Sequence, residues 1–114
     1  MSKDEVVILA ARRTPVGGFQ GVFAGVTAPQ LGSAAIKAAI DDSKIAPADV
    51  EEVMMGCVLP AGIGQAPARQ AALSAGLPAS VPCTTINKMC GSGMRALMMA
   101  ADQLGAQNAE IIVA

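Results

Sequence analysis

Apolar positions concentrate in short continuous runs, with helically spaced stretches between them. Val6–Ala10, Val53–Leu59, Cys83–Asn87 and Glu110–Ala114 are the runs of strand length. A continuous apolar run of about four to eight residues, bounded by charge or turn residues, fits a buried strand. Val6–Ala10 has charge on both sides. Val53–Leu59 contains Gly56, which predicts a bulge or the close approach of another backbone. Cys83–Asn87 is more polar, and its β-branched Thr84, Thr85 and Ile86 favour a strand.

Pro29 opens a helix, since proline is pre-set for the first turn. Leu31, Ala34, Ala35, Ala38 and Ala39 follow at helical spacing, Ile36 and Ile40 widen the stripe, and the helix fades near Ser43. Ala46–Asp49 reads as a turn or short helical start. A short helix runs from Pro67 to Ala75, with Gly76 at the position just past its end. After Cys90, Met94, Leu97, Met98, Ala101 and Leu104 repeat at three- and four-residue steps, and this stripe is predicted to be buried. Gly105 would cap that helix. Gly17, Gly18, Gly21 and Gly25 mark a long loop after the first strand.

Strands alternating with helices give an α/β fold with a mixed, mostly parallel sheet covered by helices. There is no internal repeat and no low-complexity linker. The last apolar run meets Ala114 with no closing element after it, so the chain is expected to be the front part of a longer protein.

Composition narrows this picture. The 114 residues form one domain at most, and 53% hydrophobic against 15% charged residues supplies a real core. Phe19 and Phe23 are the only aromatics, so the core must be built from Ala, Val, Ile, Leu and seven Met. A net charge of −1 gives no electrostatic footprint for nucleic acid or an anionic membrane. The apolar run near the N-terminus is too short, and its flank too acidic, for a signal peptide. No stretch approaches the roughly 20 apolar residues of a membrane span. The expectation is a soluble, cytoplasmic protein. Cys57, Cys83 and Cys90 are odd in number and match no zinc or disulfide spacing, so no metal site is expected. Histidine is absent.

The chemistry concentrates in NKMCGSGMRALMMA, residues 87–100. Gly91, Gly93 and Ala96 satisfy the loose dinucleotide pattern G-x-G-x-x-[G/A]. The acid about twenty residues on, Glu110, precedes its strand instead of ending it, and the feeding strand is too polar for a buried central one. That weakens a phosphate cradle. A second reading is a tight strand-to-helix corner, with cysteine as a small buried hydrophobe. It suits Cys57 and Cys83 well, and for Cys90 it stands level with a third reading, nucleophilic catalysis. A helix N-terminus favours the thiolate, which is the reactive form. Cys90 precedes the first helical turn, Lys88 and Arg95 add positive charge, and the glycines leave room for a carbonyl. Backbone N–H groups of the turn could steady an oxyanion. Sulfur both attacks and leaves acyl groups well, so acyl transfer through a thioester is the matching chemistry.

Residues 87–96, NKMCGSGMRA, resemble the nucleophile signature of the thiolase family. VVILAARRTPVGGFQG at 6–21, GQAPARQAA at 64–72, VPCTTINK at 81–88 and EIIVA at 110–114 are similar to further family segments in the same order. The resemblance covers essentially the whole chain, 1–114, as an N-terminal domain without the loop domain and C-terminal half. It implies the N-terminal half of a layered thiolase fold, with the third strand at a dimer interface. It implies that Cys90 takes an acyl group from an acyl-CoA. Coenzyme A thioesters would be substrates, with no prosthetic group. The residues around Cys90 look like the acetoacetyl-CoA branch, in which two acetyl-CoA condense or acetoacetyl-CoA is cleaved. A homodimer or homotetramer is implied for the full-length protein.

The family's activating histidine and second catalytic cysteine have no counterpart in this chain, so these residues alone are not expected to catalyse the condensation. The alternative is a non-catalytic thiolase-like domain with a structural or interaction role. Arg12, Arg13 and Arg69 read as surface or packing residues, and Asp41-Asp42 as a solvated face. Gln65 and Asn87 are left between loop bonds near the site and contacts across a dimer.

Overall fold

The computed structural model describes residues 4–114, so residues 1–3 of the expected domain lie outside the described residues. Helix α1 (Ala28–Ser43) starts at a capping box. The Thr27 hydroxyl accepts from the Gln30 N–H while the Gln30 side chain accepts from the Thr27 N–H, and two of the helix's free donors are thereby satisfied. A short 3-10 turn at Pro47–Asp49 leads to strand β1 (Glu52–Gly56). Helix α2 (Pro67–Ser74) ends before Gly76, whose φ of +92° is the left-handed conformation that the exit from a helix needs. Strand β2 (Cys83–Ile86), helix α3 (Ser92–Gly105) and strand β3 (Ile112–Val113) complete the order.

The sheet is parallel, with order β2-β1-β3. Val53 pairs with Cys83 and Gly56 with Ile86; on the other edge Glu52 pairs with Ile112. The Glu51 carboxylate helps start β3 by accepting from the N–H groups of Glu110 (2.8 Å) and Ile111 (3.3 Å).

The two-residue period of a strand divides the core in two. Val53 and Met55 face α1 and α2, where Ile36, Ile40, Ala71, Ala72, Leu77 and Val81 pack around them. Met54 faces α3, with Ile86, Ala96 and Ala100. Alanines make the helix-on-sheet contacts, as a core poor in aromatics requires.

Two expectations are corrected. Val6–Ala10 is not a strand, and Ile8 is 72% exposed. The segment runs past β3 without joining the ladder. A cavity of about 200 Å³ lies between it, α3 and β3. An apolar run specifies a strand only where a free edge sits at hydrogen-bonding distance. The segment is tied instead by the Arg12–Asp42 ion pair at 2.9 Å.

The second correction is the face of α3. Ser92, Ala96 and Ala100 are its buried residues, whereas Met94 is 65% and Met98 51% exposed. Two apolar stripes lie side by side on this helix. The stripe of small residues turns to the sheet because it lets the helix axis come close to β1.

Candidate active site

The even positions of β1 face α3, and the last of them is Gly56. A Cβ on Gly56 would lie 2.7 Å from the backbone N of Gly93, 2.7 Å from the carbonyl carbon of Ser92 and 2.8 Å from the Ser92 Cβ. Real Cβ atoms do not come that close to backbone, so only glycine lets the first turn of α3 rest on the end of β1. The close approach expected from Gly56 is therefore present.

That contact fixes where the chain must turn between β2 and α3. Asn87 Oδ1 accepts from the Met89 N–H at 3.0 Å. Met89 takes a left-handed backbone, φ 50°, which an unbranched non-glycine residue adopts only when neighbours hold it there. The Gly91 N–H donates to the Lys88 carbonyl and the Ser92 N–H to the Met89 carbonyl, which closes the turn. Gly91 is the N-cap of α3, with no side-chain cap. Cys90 stands at the crest of this turn, one residue before the cap, and its side chain is free and exposed.

The thiol stands beside the positive end of the helix, at a turn whose own donors are already bonded. The first turn of α3 carries no acidic residue, so no carboxylate opposes the positive end of the helix dipole. The N–H groups of Gly91 and Ser92, which a phosphate cradle or an oxyanion site would use, are spent inside the turn. Neither Lys88 nor Arg95 takes part in the ion pairs found among the described residues.

The other thiols are placed differently. Cys83 is half-buried on the α2 face of β2, its Sγ 3.5 Å from the Val81 carbonyl oxygen. Burial pushes this thiol above the ordinary cysteine value, and the nearby Arg69 guanidinium only partly offsets that. Arg69 itself donates to the carbonyls of Ala79 and Val81. Cys57 follows Gly56 on the opposite face of the sheet, in a cavity of about 50 Å³ beside the starts of α1 and α2. Neither cysteine is brought to the turn that holds Cys90.

Among the polar residues left open by the sequence, Asn87 bonds within the turn beside Cys90, and the Gln65 carbonyl accepts from the Gln70 side chain in the preceding loop. Asp41 pairs with Lys37 at 3.3 Å, so Asp41-Asp42 form a solvated, ion-paired face with Arg12. Among the described residues no helix is long and apolar enough to cross a membrane.

The residue that sequence reasoning missed is Ser92. It is buried to 5% exposure, and its hydroxyl accepts from the Lys88 N–H (2.8 Å) and donates to the Met89 carbonyl (2.6 Å). The available signal was its position: a serine at the first helical residue, four after Lys88, is within reach of the turn it closes.

A family model described as Thiolase, N-terminal domain, matches residues 6–114. An acetyl-CoA acetyltransferase of Cupriavidus necator is 56% identical over 96% of this chain and 28% of its own length. One of Schizosaccharomyces pombe is 54% identical over 100% of this chain and 29% of its own length. A mitochondrial acetyl-CoA acetyltransferase of Mus musculus is 52% identical over 97% of this chain and 26% of its own length. The chain thus spans somewhat over a quarter of the length of the curated relatives it matches.

These relatives overturn the expectation of a cytoplasmic protein. Mitochondrial proteins match it about as well as bacterial ones do. With its match running from Val6 to the last residue, and its cysteine turn within that span, the chain belongs to the thiolase family through that family's N-terminal domain.

Proposed function

We propose that residues 1–114 form the N-terminal domain of a thiolase-type acyltransferase, with Cys90 as the nucleophile that carries the acyl group. The observation that carries this reading is the exposed Cys90 thiol at a tightly bonded turn entering the N-terminus of α3. The names of the relatives support acetyl-CoA and acetoacetyl-CoA as substrates. Coenzyme A thioesters enter as substrates, and no prosthetic group is needed.

The Cys90 thiolate attacks the acyl carbon of acetyl-CoA. A carbon–sulfur bond forms to Cys90, and the CoA thiolate leaves and takes up a proton. The enolate of a second acetyl-CoA then attacks the acyl carbon, a carbon–carbon bond forms and the Cys90 thiolate leaves. The reverse sequence is thiolysis of acetoacetyl-CoA.

Both directions need proton transfers, and the chain contains no histidine to act as base. In this reading the base and the second acid–base group come from outside these residues. The parent protein is a homodimer or homotetramer in this reading. Acetoacetyl-CoA thiolysis by the 114-residue chain alone is expected at background level. Turnover near that of a full-length acetyl-CoA acetyltransferase would overturn the need for outside residues.

If the 114 residues are the whole gene product, the absence of histidine favours a second reading, a non-catalytic thiolase-like domain. The coding sequence after Ala114 separates the two: a histidine motif and a second cysteine motif support the enzyme, and a stop codon supports the alternative.

A further inference from the structure

We propose that Ser92 is the positioning residue for Cys90, holding the nucleophile's turn in its strained conformation through its side-chain hydroxyl. The inference rests on Cys90 being the acyl-carrying thiol and adds a role for a residue that does not touch substrate.

Independent features meet at Ser92. Its hydroxyl bridges the two residues before Cys90, accepting from Lys88 N–H and donating to Met89 C=O. Met89 is the residue with left-handed backbone, φ 50°. Such a residue is strained and persists only where its surroundings over-determine it. Here the Asn87 side chain holds the Met89 N–H and the Ser92 hydroxyl holds its carbonyl. Ser92 is itself held from behind, because its backbone rests on Gly56 at the end of β1. The chain of constraint therefore runs from the sheet, through Gly56 and Ser92, to Met89 and Cys90. No other side chain among the described residues bonds to both Lys88 and Met89.

Removing the hydroxyl leaves the Lys88 N–H without that partner and the Met89 C=O held only by the Ser92 backbone N–H, which weakens the hold on Met89 and favours its relaxation to negative φ. Relaxation rotates the peptide unit joining Met89 to Cys90 and so re-aims the Cys90 backbone relative to the start of α3. Acyl transfer, which requires sulfur, carbonyl and nearby dipoles in register, should suffer more than simple alkylation, which requires only an accessible thiol.

The test uses the 114-residue chain with p-nitrophenyl acetate as acyl donor. The Cys90 sulfur takes the acetyl group and p-nitrophenolate leaves; peptide mass mapping locates the acetyl. Iodoacetamide labelling of Cys57 on the other face of the sheet serves as the internal reference. Ser92→Ala is expected to lower the acetylation rate of Cys90 about 10-fold, the scale of losing one or two net hydrogen bonds. Cys57 labelling should stay within about 2-fold, because its side chain lies in the cavity beside α1 and α2, which Ser92 does not line. Adding Met89→Gly, which accepts positive φ without strain, is expected to recover at least about 3-fold of the loss.

Wild-type acetylation of Cys90 in Ser92→Ala overturns the proposal. So does a parallel change at Cys57 and Cys90, which would assign Ser92 to folding alone, and so does a double variant no faster than Ser92→Ala. If the wild-type chain is acetylated elsewhere and not at Cys90, it is the nucleophile assignment that fails.

Discussion

Cys83 and Cys90 carry the same thiol in opposite surroundings. Cys90 is exposed at a turn; Cys83 is half-buried against α2, and burial raises its pKa. Iodoacetamide at pH 8 should therefore label Cys90 before Cys83. The shift has a consequence for stability. A group whose folded pKa exceeds its unfolded value favours the protonated form in the folded state. The stability from the neutral Cys83 thiol is therefore complete below the unfolded cysteine pKa, about 8.5, and is lost as pH rises through the folded pKa. Cys83→Ala should flatten the decline of the urea midpoint above that pH. An unchanged decline in Cys83→Ala would show that the Cys83 thiol is not its cause.

Elements were legible where local chemistry decides them. The start of α1 is written in Pro29, the exit of α2 in Gly76, and the close approach at β1 in Gly56. The buried face of α3 was not legible, because its apolar residues form two adjacent stripes with the same period. Residue size and the site of contact chose between them, and both depend on β1, which lies far away in sequence. Gly56→Ala and Met98→Gln test this choice together in urea melts. Gly56→Ala drives a methyl into backbone at 2.7 Å, which flexible side chains cannot relieve. It should destabilise by about 3 kcal/mol, the upper part of the overpacking range. Met98→Gln on the exposed stripe should change stability by less than about 0.5 kcal/mol. A larger cost at Met98 than at Gly56 would mean that α3 packs by its large residues.

At the scale of the whole molecule, β1 is the organising strand, with α1 and α2 on one face and α3 on the other. The alternation of runs and helices made this α/β arrangement readable. It did not reveal that Val6–Ala10 stays out of the ladder, since pairing is a matter of which edges meet in space. Amides of Val6–Ala10 should exchange with deuterium within seconds at neutral pH while those of β1 remain protected; protection of both would place the segment in the sheet. The cysteine turn was legible as a constellation, but Ser92 was not, because its role appears only once the turn is folded.

The central claim is that Cys90 carries the acyl group. Its most direct test is to incubate the protein with acetyl-CoA, then with iodoacetamide, and to map every cysteine by mass spectrometry. The account predicts acetyl on Cys90, protection of Cys90 from alkylation, and no acetyl on Cys57 or Cys83. Acetyl on Cys57 or Cys83 with Cys90 unmodified would contradict it.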